Sequence, residues 1–438
     1  MTARLDWISA PVSAGLHGGI AVPGDKSISH RAIMLAALAD GASRISGFLE
    51  SEDTRATARI FARMGVRIDT LTNGERIVHG AGLRGLHPPN GELDCGNSGT
   101  AMRLLAGLVA GQRFESVLTG DASLSKRPMR RVIDPLTMMG ARIAANDGGL
   151  PPLWISGNQS LRGIVHTPPI ASAQVKSAIL LAGMYAEGET EVVESRPTRD
   201  YTERMLCAFG WPIEFEPGRA RLSGGHRLRA CDIDVPADFS SAAFLIVAAT
   251  FIPGSQLRLR NVGMNPRRIG LLHVLRAMGA DIVETNPCES GGERIADLQV
   301  RHAPLHGIDV PIEHVADMID EFPILFVAAA IAEGTTIVRN AAELRVKESD
   351  RIAVMAAGLR ALGARIEETP DGAIIEGRAL RGGEVDAAGD HRCAMAFAVA
   401  GAVAQGDVRI RDCANVATSF PGFIRGAGSV GLALAGET

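Results

Sequence analysis

An α/β fold with two similar lobes, each of three βαββαβ repeats, is predicted from this 438-residue sequence. Two signatures predict it, because each recurs six times along the chain, the last copy of the second in degraded form. Their spacing of roughly 65 to 85 residues leaves room for two helices and several strands in every copy. Such regular recurrence indicates a repeat architecture whose units share their interior packing.

The first signature is an apolar segment that ends in a small residue and Gly before a strand pattern. It predicts a helix that stops at a glycine C-cap and continues into a short strand. Its copies reach Gly41, Gly111, Gly188, Gly254, Gly334 and Gly406. The second signature is a helix, a Gly, a small residue and a strand. Its copies lie at Gly65, Gly140, Gly210, Gly279, Gly363 and Gly431.

Six repeats suggest two lobes of three. Prolines that would stiffen a crossing between lobes stand at Pro23 and Pro236. We therefore predict that residues 1–22 form an N-terminal strand of the second lobe. Residues 23–236 are predicted to form the first lobe and residues 237–438 the second, each with three βαββαβ units.

Composition narrows the classes of function. The formal net charge is −4, whereas a general nucleic-acid or membrane-surface binder is usually basic. The first residues show no basic segment followed by an apolar core, and no apolar run reaches about 18 residues. We expect a cytoplasmic protein without nucleic-acid or membrane partners. The six cysteines form no Cys-x-x-Cys pair, which predicts free buried thiols and no metal site.

The stretch Pro-Gly-Asp-Lys-Ser-Ile-Ser-His-Arg at residues 23–31 runs into an apolar segment. It predicts a helix start, where free backbone N–H groups and the helix dipole attract anions. Lys26, Ser27 and Arg31 would add a cation, a hydroxyl and a second cation to such an anion site. The alternative is that Ser27 or Ser29 only caps the helix and the two cations are solvated.

Three further stretches of the first half also have glycines, cations or polar side chains at or near a predicted helix start. Residues 94–103 place glycines before an apolar helix, residues 120–131 form a dense cationic loop, and Ser172 and Gln174 begin another apolar helix. The alternatives are ordinary helix capping and a solvated basic loop. The glycine spacing is not that of a P-loop, so nucleotide binding is not supported.

The second half combines acids with cations. Asp320 precedes a segment predicted to be a buried helix, where acidic residues also serve as helix stabilisers. Residues 345–351 hold three cations and two acids, and Lys347 and Arg351 are expected to share one helix face with Glu348 beside them. The alternative is an exposed salt-bridged face. Arg392 follows Asp-His at another helix start.

Cations therefore recur at turns and helix starts in both halves of an acidic protein. Such a set suits a small ligand with several negative charges, such as two phosphates or a phosphate with carboxylates. Its members are Lys26, Arg31, Arg127, Arg199, Lys347, Arg351 and Arg392.

These motifs, in this order from about residue 10 to about residue 425, resemble the 3-phosphoshikimate 1-carboxyvinyltransferases, also called EPSP synthases. The resemblance rests on residues 23–31, 96–103, 126–129, 345–351 and 390–392. It implies an inside-out α/β barrel-like enolpyruvyl transferase fold of two lobes. It also implies transfer of the enolpyruvyl group of phosphoenolpyruvate to the 5-hydroxyl of shikimate 3-phosphate through a tetrahedral intermediate, with no metal or other cofactor and with a monomeric enzyme.

The resemblance also implies residue roles. Asp320 corresponds to the base at the 5-hydroxyl, and Glu348 with Lys26 corresponds to the proton-transfer pair at the enol carbon. The implied shikimate 3-phosphate contacts are Lys26, Ser27, Arg31, Ser172, Gln174, Arg199, Asp320 and Lys347. The implied phosphoenolpyruvate contacts are Lys26, Gly99, Arg127, Gln174, Arg351 and Arg392.

Two departures resemble the second, more divergent class of the family, which has members tolerant of glyphosate. The Ser-Ser-Gln of many members is Ser172-Ala173-Gln174 here, and a lysine of many members is replaced near residues 417–421. Gly99, however, stands where some tolerant members carry Ala, whose methyl would crowd the inhibitor. We therefore predict sensitivity to glyphosate.

Two alternatives remain open at this point. The sister enzyme that adds enolpyruvate to UDP-N-acetylglucosamine shares the fold, but it typically has a Cys in the loop at residues 120–129 and Lys-Asn in place of Lys26-Ser27. A non-catalytic anion-binding protein is the other alternative. It would gain nothing from Asp320 and Glu348 beside the cations.

Overall fold

A computed structural model describes residues 5–157 and 160–437. The chain forms two compact units. The first unit contains Gly24–Val235 and the short segment Glu289–Glu293. The second unit contains the chain up to Pro23, Pro236–Cys288 and the chain from Arg294 onward. The predicted lobe boundaries at 22/23 and 236/237 lie next to two of these crossings, and the sequence analysis did not anticipate Glu289–Glu293.

The helices follow in chain order. Those up to residue 235 are α1 (Lys26–Leu38), α2 (Glu52–Arg63), α3 (Gly99–Ala110), α4 (Arg130–Met138), α5 (Ala173–Gly183) and α6 (Tyr201–Ala208). Those that follow are α7 (Phe239–Phe251), α8 (Gly270–Ala277), α9 (Ile312–Val315), α10 (Phe322–Ile331), α11 (Arg351–Ala361), α12 (His391–Gly401) and α13 (Phe423–Ser429). Short 3₁₀ turns in the described residues span Leu124–Lys126, Asp147–Gly149, Ala316–Met318, Ala342–Val346 and Ala414–Thr418.

The strands are numbered in the same way. The strands up to residue 235 are β1 (Asp6–Ala10), β2 (His17–Ile20), β3 (Ala39–Ser46), β4 (Arg67–Thr70), β5 (Arg76–Ala81), β6 (Leu93–Asp94), β7 (Ser116–Thr119), β8 (Ile143–Asn146), β9 (Leu150–Ile155), β10 (Val165–His166), β11 (Glu189–Val193), β12 (Ile213–Glu216), β13 (Arg219–Ser223), β14 (Leu228–Arg229) and β15 (Ile233–Asp234). The remaining strands are β16 (Gln256–Gly263), β17 (Asp281–Ser290), β18 (Glu293–Arg301), β19 (Thr335–Val338), β20 (Arg365–Thr369), β21 (Gly372–Glu376), β22 (Arg381–Asp386), β23 (Gln405–Arg411) and β24 (Ala433–Glu437).

The described strands form three sheets in each unit, one for each predicted repeat. The sheet orders of the first unit are β14-β3-β5-β4 with β15 also on β3, β6-β7-β9-β8, and β10-β11-β13-β12. Those of the second unit are β17-β18-β16-β2, β19-β21-β20, and β22-β23-β1-β24. In the first unit the strand after each buried helix pairs in parallel with an edge strand and antiparallel with a hairpin strand. This mixed pattern is the α/β repeat fold that the sequence predicts.

The N-terminal segment completes two sheets of the second unit. β1 pairs antiparallel with both β23 and β24, with Trp7 opposite Ile410 on one side and Gly436 on the other. β2 pairs in parallel with β16, with His17 opposite Gln256. Strands from both ends of the chain therefore share one sheet.

Each repeat contains one helix that is buried almost all round. Every residue from Ile28 to Leu38 of α1 is buried, as is every residue of α7 up to Thr250 and of α10 up to Ala330. Helices that are apolar on all faces are typical of a protein interior. Small residues allow these helices to pack closely: a Cβ on Gly107 of α3 would overlap the backbone of Ala178 in α5.

The glycines of the second signature have the conformation that the repeat predicts. All six copies, from Gly65 to Gly431, have a positive φ between a helix and a strand, which is a conformation that L-residues rarely adopt. Gly111, which belongs to the first signature, does not have a positive φ: its φ is −85°. A Cβ there would overlap the ring of Tyr185, so this position needs glycine for space.

Candidate active site

In the first unit, the start of α1 is capped by Asp25, whose side chain accepts a hydrogen bond from the N–H of Ile28 at 2.9 Å. The capping role considered for Ser27 or Ser29 is therefore wrong. Ser29 instead binds the loop ahead of α2, since its hydroxyl accepts the N–H of Leu49. Ser27 is thus left as a partly buried hydroxyl in the first turn of α1. Lys26 Nζ lies 2.5 Å from Asp53 Oδ2 in α2.

Arg31 is a buried cation whose hydrogen-bond partners are neutral. Its guanidinium donates to the hydroxyls of Thr202 at 2.7 Å and Ser177 at 2.8 Å, and to the carbonyl of Ser27 at 3.0 Å. Burial, joined by the charge of Arg199 and opposed by that of Glu203, lowers the pKa of Arg31 to about 10. Within the described residues no carboxylate forms an ion pair with Arg31, so its charge is available to an anion.

His30 lies beside these cations. Its ring nitrogens lie 2.7 Å from the Thr57 hydroxyl and 3.3 Å from the Ser98 hydroxyl. Burial, reinforced by the charges of Lys26 and Arg31, lowers the pKa of His30 well below its usual value. The ring is therefore neutral at physiological pH and links α1 to α2 and to the start of α3.

Gly99 begins α3 between two guanidinium groups. A Cβ built on Gly99 would lie 3.0 Å from Arg103 Nη1 and 3.4 Å from Arg127 Nη1. Arg127 follows the 3₁₀ turn Leu124–Lys126, and it donates to Asn97 Oδ1 at 3.0 Å and to the Ser123 hydroxyl at 3.2 Å. Because Arg127 is partly buried and held by these bonds, the interpretation of its loop as merely solvated is wrong at this residue.

The start of α5 faces the same cluster. Gln174 Oε1 accepts a hydrogen bond from Arg103 at 2.6 Å, and its amide nitrogen donates to the Thr100 hydroxyl at 2.8 Å. Ser172 occupies the N-cap position of α5 but its side chain makes no capping bond, contrary to the capping interpretation. We refer to Lys26, Ser27, Arg31, Gly99, Arg103, Arg127, Ser172, Gln174 and Arg199 as the first-unit cluster.

Arg199 lies in a segment anchored by a buried ion pair. Glu194 accepts hydrogen bonds from the N–H and hydroxyl of Thr198, at 3.2 and 2.5 Å. Lys176 Nζ lies 2.9 Å from Glu194 and 2.8 Å from Glu203, and all three side chains are almost fully buried. Although burial disfavours the ammonium, these two carboxylates raise the pKa of Lys176. The charged network therefore fixes the chain immediately before Arg199.

In the second unit, Asp320 is a carboxylate surrounded by cations. Its Oδ2 lies 3.3 Å from Arg268 Nη1 and 4.0 Å from Arg392 Nη2. Its Oδ1 lies 3.6 Å from Arg351 Nη1 and 3.8 Å from Lys347 Nζ. Asp320 directly precedes the segment that starts α10, as the sequence predicts, and its side chain is 14% exposed.

Arg351 joins three carboxylates at the start of α11. It pairs with Glu348 at 2.6 Å and Asp390 at 2.8 Å, in addition to Asp320. Its side chain is 1% exposed, so the interpretation of residues 345–351 as an exposed salt-bridged face is wrong at Arg351. Although burial opposes ionisation of Asp390, the charge of Arg351 lowers the pKa of that carboxyl.

One local prediction in this region is wrong. Lys347 and Arg351 do not share a helix, because the 3₁₀ turn Ala342–Val346 ends before Lys347 and α11 begins only at Arg351. Lys347 instead reaches back to Glu343 at 3.0 Å. The helix start predicted at residues 390–392 is confirmed: Asp390 caps α12, and Arg392 donates to the carbonyl of Asp320 at 3.1 Å. The second-unit cluster comprises Asp320, Lys347, Glu348, Arg351, Asp390 and Arg392.

The predicted site residues did not include the cluster members Arg103 and Asp390, nor three partners of cluster members, Asn97, Asp53 and Arg268. Arg103 was part of a quoted motif, and its position four residues after Gly99 on one helix is the signal that could have identified it. Asn97 was quoted with it. Asp53 and Arg268 lie far in sequence from their partners Lys26 and Asp320, and nothing local in the sequence connects them.

Comparison with known proteins decides the family. A model of EPSP synthase (3-phosphoshikimate 1-carboxyvinyltransferase) matches residues 12–426. The chain belongs to the EPSP synthase family. It is 64% identical to the 3-phosphoshikimate 1-carboxyvinyltransferase of Xanthomonas axonopodis pv. citri over 428 residues, which are 98% of this chain and 97% of the relative. It is 65% identical to that of Xanthomonas campestris pv. campestris strain B100, with 98% of each covered.

A solved EPSP synthase from Acinetobacter baumannii has the same fold, with a TM-score of 0.91, 48% sequence identity and complete coverage of both chains. The predicted fold class is thereby confirmed. Membership of the EPSP synthase family also confirms the predicted activity, an enolpyruvyl transfer from phosphoenolpyruvate to shikimate 3-phosphate.

Three other observations concern the predicted classes. Among the described helices, none is long and apolar enough to cross a membrane. The described residues contain no group of three or more His, Cys, Asp or Glu side chains that could hold a metal ion. All six cysteines lie in the described chain and are free, but Cys207 and Cys288 are exposed, so the prediction of burial is wrong for these two.

Proposed function

We propose that this EPSP synthase family enzyme uses the first-unit cluster mainly to bind the anionic groups of its substrates and the second-unit cluster mainly to move protons. Guanidinium and ammonium groups suit phosphate and carboxylate recognition. A carboxylate among cations suits proton transfer, because neighbouring positive charge keeps it ionised and ready to accept a proton. The observation that carries the proposal is the position of Asp320 among four cations.

The proposed substrate contacts follow the family motifs. Shikimate 3-phosphate is assigned to Lys26, Ser27, Arg31, Ser172, Gln174, Arg199, Asp320 and Lys347. Phosphoenolpyruvate is assigned to Lys26, Gly99, Arg127, Gln174, Arg351 and Arg392. Two features support these assignments. The charge of Arg31 has only neutral partners and is available to a phosphate. Gln174 is oriented by Arg103 and Thr100, so its amide is fixed before substrate arrives.

In the proposed mechanism, Asp320 takes the proton of the 5-hydroxyl as its oxygen attacks C2 of phosphoenolpyruvate. Glu348 and Lys26 supply the proton that adds to C3, so that a tetrahedral ketal phosphate forms. The Glu348 and Lys26 pair then takes a proton back from the new methyl group, phosphate leaves with the proton that Asp320 had taken up, and the enol ether is restored. Cations near the phosphate oxygens stabilise the negative charge of the leaving group. The protein groups named here balance every proton without a metal or cofactor, which we do not expect the enzyme to need.

The test is phosphate release by the purified protein supplied with phosphoenolpyruvate and one acceptor. We expect release with shikimate 3-phosphate and none with UDP-N-acetylglucosamine, the acceptor of the sister enzyme. Release with neither acceptor would contradict catalysis and favour the anion-binding alternative. Release only with the nucleotide sugar would contradict the acceptor assignment.

We further propose a cytoplasmic monomer with the lobe boundaries given above, and sensitivity to glyphosate. The free thiols, two of them exposed, support a reducing compartment. Sedimentation of the purified protein measures its mass directly. A dimer in sedimentation would contradict the monomer. Full activity at millimolar glyphosate under low phosphoenolpyruvate would contradict sensitivity.

A further inference from the structure

Arg268 is a buried arginine of the second unit to which the family motifs quoted above assign no role. It lies in the segment between β16 and α8, and its side chain is 6% exposed. Its Nη1 lies 3.3 Å from Asp320 Oδ2 and also 3.3 Å from Glu321 Oε1. A guanidinium this deeply covered is costly to bury unless its partners compensate its charge. The neighbouring carboxylates therefore allow this guanidinium to be buried.

The opposite side of the guanidinium is anchored in the start of α7. Arg268 Nη2 donates to the Ser240 hydroxyl and lies 3.7 Å from Asp238 Oδ1. The same hydroxyl donates to Glu321 Oε1. Asp238, Ser240 and Glu321 are all buried. Arg268 therefore connects three chain segments, and Asp320, 14% exposed, is the most exposed of the four partners named here.

We propose that Arg268 is a positioning residue for Asp320: it holds Oδ2 from the buried side and so fixes the orientation of Oδ1, the proton acceptor. This inference rests on the proposed role of Asp320. Oδ1 lies 3.8 Å from Lys347 Nζ and 3.6 Å from Arg351 Nη1. A carboxylate fixed through one oxygen cannot rotate freely, and catalysis depends strongly on such orientation.

The geometry calls for arginine in particular. Two nitrogens of the planar guanidinium act at once, Nη1 on Asp320 and Glu321 and Nη2 on Ser240 and Asp238. An ammonium group has one nitrogen and cannot span both sides. Lysine at this position would keep the charge near Asp320 but lose one anchor. Glutamine would lose the charge altogether.

The charge around Asp320 decides how pH enters the test. The charged groups within 4.0 Å of Asp320 or of its direct partners include Arg268 before α8, Asp238 at α7, Glu321 next to it in sequence, Lys347 with Glu343, Arg351 with Glu348, and Asp390 and Arg392 at α12. Asp317, three residues earlier in the chain, pairs with Arg267. Loss of Arg268 removes a cation that lies 3.3 Å from the carboxylate. Less positive charge makes a carboxylate easier to protonate. The acidic limb of the kcat profile should therefore move to higher pH.

The experiment measures kcat, both KM values and the pH profile of kcat for Arg268→Gln and Arg268→Lys. We expect Arg268→Gln to lower kcat by about 100-fold, the size of effect that misplacement of a catalytic group by about 1 Å produces. Both KM values should change by less than about 3-fold, because a residue that only orients the base affects the transition state and not the binding of either substrate. Arg268→Lys should recover part of kcat and restore the acidic limb.

Arg267→Gln is the matched control. Arg267 is the adjacent arginine, 32% exposed, and it pairs with Asp317 at 3.1 Å, three residues before Asp320. It tests whether any arginine–aspartate pair at this turn has the same effect. We expect its kcat and pH profile to stay near those of the wild type. An equal loss of kcat in Arg267→Gln, with an unmoved acidic limb in Arg268→Gln, would overturn the proposal.

A double-mutant cycle separates the two proposals. If Arg268 acts through Asp320, Arg268→Gln should have little further effect on the residual turnover of Asp320→Asn. A tenfold further loss in that background would overturn the positioning role and leave Asp320 as the base. Full activity of Asp320→Asn alone would instead contradict the proposed function. Thermal unfolding of each variant shows whether a loss of kcat merely reflects loss of folded protein.

Discussion

Both clusters contain arginine side chains, but the partners of these arginines differ between the two units. In the first unit, Arg31 and Arg127 donate to hydroxyl and amide oxygens. In the second unit, Arg268 and Arg351 each contact carboxylates. Neutral partners hold a cation in place without cancelling its charge, whereas carboxylates cancel the charge and can themselves exchange protons. We therefore expect variants of Arg31 and Arg127 to weaken substrate binding and variants of the second-unit carboxylates Asp320 and Glu348 to slow the chemical steps.

The largest expected effect is loss of turnover in the second unit. Asp320→Asn and Glu348→Gln each keep the shape of the side chain but remove its ability to exchange a proton. We expect each to lower kcat by at least about 100-fold, because a positioned acid or base contributes this much or more. The dissociation constant for shikimate 3-phosphate, measured by calorimetry, should change by less than about 3-fold.

The matched control for these two variants is Glu376→Gln on β21. Glu376 is 47% exposed and pairs only with surface groups such as Arg365, at 3.0 Å, as far as the described residues show. We expect wild-type kinetics from it. Turnover that persists in both Asp320→Asn and Glu348→Gln would contradict the roles given to the two carboxylates.

The next effect concerns Arg31, the buried cation with hydroxyl partners. Arg31→Met should raise the KM for shikimate 3-phosphate by about 10- to 100-fold, since a hydrogen bond to a charged group contributes about 1.5–3 kcal/mol. The free energy of unfolding should change little, because the variant also removes a buried charge that has no carboxylate partner. Steady-state kinetics and urea unfolding measure the two quantities.

Arg76→Met, in the same unit, is the control for Arg31→Met, and we expect it to affect stability and not substrate binding. Arg76 is 13% exposed, pairs with Glu50 and stacks over Phe48 with its guanidinium carbon 5.2 Å from the ring centre. We expect a loss of about 1 kcal/mol in the free energy of unfolding and an unchanged KM. If Arg31→Met instead lost stability and kept its KM, Arg31 would be a structural residue and the comparison of the two clusters would fail.

A smaller effect is expected at Gly99. The added methyl of Gly99→Ala would lie 3.0 Å from Arg103 Nη1, and Arg103 cannot shift without disturbing its bond to Gln174. We expect the KM for phosphoenolpyruvate to rise several-fold and the glyphosate concentration for half inhibition to rise further. The values of kcat should stay within about 3-fold.

Gly428→Ala is the control for the added methyl, because a Cβ at Gly428 meets no atom within 4 Å. Its kinetics and inhibition should match the wild type. An unchanged response to glyphosate in Gly99→Ala would mean that Arg103 and Arg127 yield to the methyl, and the first-unit cluster would then be less rigid than its hydrogen bonds indicate.

These clusters also show what sequence reasoning can reach. The start of α1 with Lys26 and Arg31 was predictable because a Pro-Gly turn before an apolar segment is a local signal, although the cap is Asp25 and not Ser27 or Ser29. The break between Lys347 and Arg351 was not, since helix periodicity alone cannot show that the 3₁₀ turn ends at Val346 and that Asp350 then caps a new helix. The role of Arg268 was not predictable for another reason: it depends on contact with Asp320, which lies 52 residues away in sequence.

The smallest expected effect is on the pH dependence of folding stability, and it comes from His30, which lies beside the cations of the first unit. Burial, with Lys26 and Arg31, lowers the pKa of His30 in the folded protein well below 6.5. Below that pH the unfolded chain binds a proton that the folded chain does not, so folding stability falls as pH falls. The slope for one such proton is at most about 1.4 kcal/mol per pH unit. His30→Gln retains hydrogen-bonding groups for Thr57 and Ser98 but cannot take up this proton.

We therefore expect the wild type to lose its stability advantage over His30→Gln between pH 7 and pH 5, by up to about 2 kcal/mol. Urea unfolding at several pH values measures this difference. His17→Gln, at an exposed histidine of β2, is the control, and its difference from the wild type should not depend on pH in this way. A constant difference for His30→Gln would mean that His30 takes up its proton over the same pH range in the folded protein as in the unfolded chain. The neighbouring cations would then be compensated by negative charge, and the first unit would resemble the second.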